Sequence, residues 1–410
     1  MEKYFMIRSI RVIVVIFIQI AFVSVCYSQQ ERSNLDDVLK LVFEIKYEQA
    51  LPLLEEIINK DESNIKARTW LAETYRRLGR TDDAIKSARI ALSLDPCNSF
   101  AHIVLAQASY PNADSISVHV NKAIECDSTD PNAWLMMWGE AIKNADLEMR
   151  NKSLRKLVET GFFTKAALAY GRLELAFLPP NSIYITNGDM DTYPAQAVQV
   201  TENFRTDVAV IEKEHFGIPW ACRFIRDYQK VSLPFTDQQI EAMNDSMDAN
   251  GNIITKADKV FKALIVQKQN NQAHRPVTIA PTVNESFVSP YINNFKYKGM
   301  FYLWQPQPDD GTVDTLMLKK YLSSINTDSF TGPWASLKDR SPVRRFYTNG
   351  VVRILFQIAL TYSEELIKAN RIDESEKTLE WLESFEKKTE AGEICKDEIK
   401  RLRSLMKQHD

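Results

Sequence analysis

The sequence predicts an α plus α/β protein: an N-terminal helical solenoid, a central, mostly parallel α/β sheet domain, and a C-terminal helical hairpin. Three observations predict it. Small and apolar residues recur with a 34-residue period early in the chain. Beyond Pro179-Pro180, short β-branched runs alternate with helical stretches, and after residue 336 long amphipathic helices return, expected over 341–369 and 373–408. At 410 residues the chain suits two or three domains, drawn at 29–178, 179–335 and 336–410 behind a leader of residues 1–28.

In the leader, Lys3, Arg8 and Arg11 precede the apolar run VIVVIFIQIAFVSV, residues 12–25. That run suits the core of a secretory signal better than a spanning helix, which needs about 20 apolar residues. The expected processing is cleavage after Ser28, with Cys26 and Ser28 at the two small-residue positions; lipidation of Cys26 is the alternative, although Val25 suits a lipobox poorly. The expected location is the periplasm. Loss of the leader takes the formal net charge from −3 to −5, and no basic block or aromatic-basic stripe remains to suit nucleic acid.

Cys97, Cys126, Cys222 and Cys395 follow the leader, and none lies in a C-x-x-C pair. Cys97 and Cys126 fall near the same end of adjacent hairpins and could pair in an exported protein, but the preferred reading of all four is small buried thiols.

The period is carried by residues 65–98, IKARTWLAETYRRLGRTDDAIKSARIALSLDPCN, with packing positions Leu71, Ala72, Tyr75, Ala84, Ala88 and Ala91. Gly79 opens the turn between two helices and Pro96 ends the pair. This window resembles the tetratricopeptide repeat, with Arg68 at the position where that pattern leads with Trp. Residues 31–64 keep the register through Tyr47, Ala50, Leu54, Ile57 and Ile58, residues 99–131 form a window shortened by two, and residues 132–146 supply a further first helix. Stacked pairs bury a continuous core and present a concave groove, so a protein or peptide partner is expected there.

In the second domain the expected strands are 182–186, 207–212, 276–280 and 299–306, and the expected helices 192–203, 217–228, 236–247 and 256–270. Ligands of open α/β sheets sit beyond the carboxyl ends of the strands. The segment NSIYITNGDMDTYPAQ places Asn187, Asp189, Asp191 and Thr192 at such an end. Two carboxylates one residue apart can share a hard cation if a turn aims both inward, as the D-x-D of nucleotide-sugar transferases does. The same residues suit an Asx turn, with Asp191 or Thr192 as the N-cap of the next helix.

Residues 179–386 resemble the soluble C-terminal region of a bacterial family of multi-spanning proteins related to protein O-mannosyltransferases, whose members carry N-G-D-N-D-T-F-P, a helix, and R-x-D-V-R-V-V. Asn187, Gly188, Asp189, Asp191, Thr192, Pro194, Arg205, Asp207 and Val208 fit that pattern; Met190 and Tyr193 replace Asn and Phe. Ala195-Gln196-Ala197 stands where several members have L-W-Y. The later segments RPVTIA, YKGMFYLWQP and RRFYTNGVVRILFQIALTY match in order. The membrane-embedded portion that would carry glycosyl transfer is absent from this sequence, so the resemblance implies an accessory soluble domain rather than a transferase.

Histidines at 102, 119, 215, 274 and 409 show no H-E-x-x-H or paired metal spacing. His215 could join Asp189 and Glu214 around a ligand; the preferred reading is an exposed loop histidine. SMDANGNI, residues 246–253, mimics a calcium loop, but Ala257 stands where the bidentate Glu is required. No G-x-S-x-G, Walker or G-x-G-x-x-G segment occurs. With no catalytic trio and no cofactor motif, the expectation is an interaction or assembly protein of the cell envelope. A glycan-handling or metal-dependent site at the NGDMDT turn is the alternative.

Overall fold

The structure, a computed structural model, describes residues 34–110, 112–249, 251–270, 272, 274–334, 336–389, 391 and 393–408. The leader, with Cys26 and Ser28, lies outside the described residues. The chain divides into two compact units, the first ending at Asp127 and the second starting at Ser128.

Among its described residues the first unit is helical: α1 (34–43), α2 (Tyr47–Lys60), α3 (Ile65–Arg77), α4 (Thr81–Leu94), α5 (Ser99–Ala108) and α6 (Ala113–Cys126). The period is written in the caps as well as in the core. Asn64 and Asn98, one 34-residue repeat apart, each accept an N–H three residues on, from Ala67 and Ala101, and Asn112 does the same for Ser115. Ala72, Ala84, Ala88 and Ala91 are fully buried, so successive helices approach closely. Gly79 takes φ +74° in the α3–α4 turn, a left-handed conformation that glycine adopts without strain. Leu71 is buried, Tyr75 packs against the core, and the Trp70 ring meets the edges of Phe43 and Phe100 at centroid distances of 5.3 and 4.8 Å. Pro96 follows α4, where its carbonyl lies 3.2 Å from His102 Nε2.

One expectation fails in this unit. Cys97 and Cys126 are not separate buried thiols but a disulfide, joining the turn after α4 to the last residue of α6. The reason lies in the repeat: Cys97 follows one second helix and Cys126 ends the next, so stacking brings them to the same end, with Cα atoms 5.1 Å apart. Cys222 and Cys395 are free and buried, as expected.

The second unit opens with α7 (Pro131–Lys143), α8 (Leu147–Glu159) and α9 (Lys165–Ala176). It continues through β1 (Ile183–Thr186), α10 (Asp189–Glu202), β2 (Ala209–Glu212), α11 (Pro219–Asp227), α12 (Asp237–Ala242), β3 (Ser246–Met247), β4 (Ile253–Ile254), α13 (Lys256–Gln269) and β5 (Val277–Ile279). It closes with α14 (Glu285–Val288), β6 (Phe295–Tyr297), β7 (Tyr302–Trp304), α15 (Thr315–Ser324), α16 (Pro342–Lys368), α17 (Ile372–Glu386) and α18 (Lys396–Met406). The main sheet has the order β2-β1-β5-β7-β6. β1 is buried at all four positions, which explains its unbroken apolar and β-branched sequence.

The sheet is mixed rather than mostly parallel: β1 pairs parallel with β2 and β5, whereas β7 pairs antiparallel with β5 and β6. Residues 298–301 are too short to cross over, so β6 and β7 form a hairpin. Gly299 turns it at φ +95°, where a Cβ would lie 2.9 Å from the Tyr321 ring. Three helix expectations also change. The helix expected from 192 starts at Asp189; that expected over 236–247 ends at Ala242, and Ser246-Met247 pairs with Ile253-Ile254; and a C-terminal helix running to residue 408 is broken after Glu386. Glu386 Oε1 accepts the Cys395 N–H at 2.8 Å, which closes that break. Inside the unit, Glu174 is fully buried under the Tyr184 hydroxyl, and burial pushes its carboxyl well above the usual range.

Candidate functional site

The NGDMDT turn leaves the carboxyl end of β1, where the open-sheet rule places ligands. Its local order is set by Asp191, which is 1% exposed. One oxygen accepts the Asn187 N–H at 2.8 Å, the other the Gly188 N–H at 2.9 Å, and the Thr282 hydroxyl after β5 donates a further bond. Asp191 is therefore not the N-cap but the third helical residue, reaching back to the amides of Gly188, the N-cap, and of Asn187 before it. Thr192 is buried too, its hydroxyl 2.6 Å from that of Thr186. Asn187 is exposed.

Asp189 turns elsewhere. Its Oδ2 accepts from Arg344 Nη1 at 2.8 Å, and Arg344 also grips Asp339 through Nε at 2.6 Å and Nη2 at 2.9 Å. Burial opposes the Arg344 charge, and the two carboxylates more than offset it, so its pKa stands above the usual range. The D-x-D reading needs two carboxylates aimed at one cation, and here one caps a helix while the other holds an arginine. Among the described residues no group of three His, Cys, Asp or Glu side chains gathers in a way that could hold a metal ion.

His215 is not an exposed loop residue. It sits in a 3-10 turn after β2, with its ring 6.4 Å from that of Trp138 and 6.1 Å from that of Trp220. Trp138 also meets Tyr193, at 4.7 Å. Burial pulls His215 down to about 4. Glu212, 3.8 Å from His215 Nε2, is pushed up to about 8 by burial and by the neighbouring charges of Asp189, Asp191 and Glu214. Both are therefore neutral near pH 6. Glu214 itself points to solvent, paired with Lys213.

The turn thus brings Asp189, Glu212 and Tyr193 into electrostatic contact, while Asp191 serves the backbone and Thr192 meets the Thr186 hydroxyl. Sequence reasoning missed Glu212, Trp138 and Arg344. Glu212 ends the strand parallel to β1, in register with Thr186, so the strand assignment already contained the signal that it shares an edge with Asp189. Arg344 lies 155 residues from Asp189, and no local pattern announces that contact.

Residues 45–92 match the tetratricopeptide repeat family, and residues 167–248 match TMEM260-associated domain 2, a segment that includes the NGDMDT turn, Glu212 and His215. Both matches fall on the segments whose resemblance the motifs carried. Among solved structures, a thermophilic TPR protein of Thermus thermophilus is similar at 17% identity, covering 42% of this chain and 92% of its own, with a TM-score of 0.32. A MamA structure is similar at 15% identity, covering 50% of this chain and 97% of its own, with a TM-score of 0.28. No curated protein matches the chain in sequence.

Proposed function

We propose that the protein is an exported component of the cell envelope that binds a protein or peptide partner through its N-terminal repeats, with the α/β unit as an accessory module. The observation that carries this reading is the tetratricopeptide match over residues 45–92, because stacked helix pairs build recognition surfaces rather than catalytic ones. The Cys97–Cys126 disulfide supports the exported location, since such bonds persist in oxidising compartments. Among the described residues no helix is long and apolar enough to cross a membrane. On α3, Arg76 and Arg77 are both held by the buried Glu73, at 2.7 and 2.8 Å, and leave 20% and 25% of their side chains exposed as basic surface. Crosslinking of the full chain in envelope extract should give one dominant adduct that Arg76→Glu with Arg77→Glu abolishes; an adduct indifferent to both changes, or none at all, defeats the reading. Mass spectrometry of the mature N-terminus distinguishes a start at Gln29 from lipidated Cys26.

A second reading, a glycan-handling site at the NGDMDT turn, is favoured by one observation: Trp138 and Trp220 flank His215, and Tyr193 packs on Trp138, beside a Glu212 carboxyl pushed up to about 8. Calorimetric titration with manganese and with simple sugars, comparing wild type with Asp189→Ala, tests it. Heats identical in the two proteins eliminate it.

A further inference from the structure

The opposite end of the β1–β2 pair holds a cleft of about 540 Å³, lined by α8, α10, the chain entering β2 and the chain leaving α11. That volume lies within the range of small-molecule sites. Four basic residues line it, Arg150, Arg155, Lys230 and Arg275, against one acid, Asp207. Arg205, which does not line the cleft, already holds Asp207 through Nε at 2.9 Å and Nη2 at 3.0 Å. Arg275 gives its N–H groups to the backbone carbonyls of Asn181, Ser182, Asp207, Gln229 and Lys230, so it brings charge to the cleft but no spare donor.

Arg150 differs. It is 8% exposed, and among the described residues its hydrogen-bond partners are neutral amide oxygens, Asn151 at 2.9 Å and Gln196 at 2.9 Å. Two of the five donors of a guanidinium are thus used, and Nε has no partner among the described residues. Burial alone pulls Arg150 down to about 10, and no carboxylate opposes the shift. A buried cation without a counter-ion is costly unless something anionic supplies one. Arg155 and Lys230 are exposed and have no ion-pair partner among the described residues.

We propose that this cleft binds a small oxyanion, a phosphate monoester or a carboxylate carried on a polar metabolite of monosaccharide size, with Arg150 as the anchoring cation and Arg155 and Lys230 as rim charges. The proposal is independent of the partner-binding reading, because every group it uses lies outside the repeats of residues 45–92. Isothermal calorimetry on the full chain with glucose 6-phosphate, glucuronate and glucose tests it. Saturable binding of one or both anionic probes, without binding of glucose, is expected, and the better probe identifies the anionic group. Arg150→Gln should raise Kd roughly tenfold or more, the loss of a charge-assisted hydrogen bond. Arg155→Ser with Lys230→Ser should raise it by about threefold and flatten its salt dependence. Silence from both anionic probes, glucose binding as tightly as they do, or affinities unchanged by these variants would overturn the proposal. Should Arg150→Gln fail to fold, the rim variant decides alone.

Discussion

The carboxylate of Asp191 serves two backbone amides and one hydroxyl, so its removal should be felt as lost stability rather than lost chemistry. Asp191→Ala is expected to cost about 2–4 kcal/mol in urea unfolding, since charge-assisted bonds and a helix-start cap go together. Glu212 makes a different prediction. Its folded pKa, about 8, stands above the unfolded value of about 4.3. The folded state therefore binds the extra proton, and the resulting stability is fully present below pH 4.3 and lost as the pH climbs through 8. Glu212→Gln should remove that slope, so the stability difference between pH 5 and pH 8 is smaller in the variant. The sequence displayed the residue types of this turn but not their directions. Asp189 and Asp191 differ by two helical steps, and whether either faces an amide or an arginine depends on Thr282 and Arg344, both supplied by distant segments.

At the scale of elements, the repeat was legible because its signal is local and multiplied. Caps, small residues and the turn glycine recur at one spacing, and each supports the same register. The disulfide adds a covalent link across 29 residues of that array. Replacing Cys97 and Cys126 by Ser should cost about 3–4 kcal/mol, read as a lower Tm that reductant no longer changes. Gly171 supports a second prediction. A Cβ there would lie 2.7 Å from the Pro194 carbonyl carbon, so α9 touches the backbone of α10 only through glycine. Gly171→Ala should destabilise by about 1–3 kcal/mol of overpacking in chemical unfolding. What escaped the sequence were the short pieces. β3, β4 and β6 hold two or three residues each, too few to show a period, and β7, inside the expected strand 299–306, pairs antiparallel with β5. The break after Glu386 is closed by a side chain folding back onto Cys395, a contact that no sequence period reveals.

Over the whole molecule, contacts between remote segments decide how the second unit closes. Arg344 fixes the start of α16 to the NGDMDT turn and to Asp339, with only 11% of its side chain exposed. Arg344→Ala leaves the nearly buried Asp339 without its fork, and about 3 kcal/mol of lost stability is expected in chemical unfolding; Arg344→Lys should recover only part, because an ammonium cannot hold two carboxylates in one plane. The strand order carries a last consequence for synthesis. β5 lies between β1 and β7 yet enters the chain more than 90 residues after β1 begins. A polypeptide delivered N-terminus first, from the ribosome or from an export channel, therefore pairs β1 with β2 first and leaves the other flank of β1 bare until residue 279 has arrived. That interval is when a chaperone, or a wrong strand, would meet the growing protein.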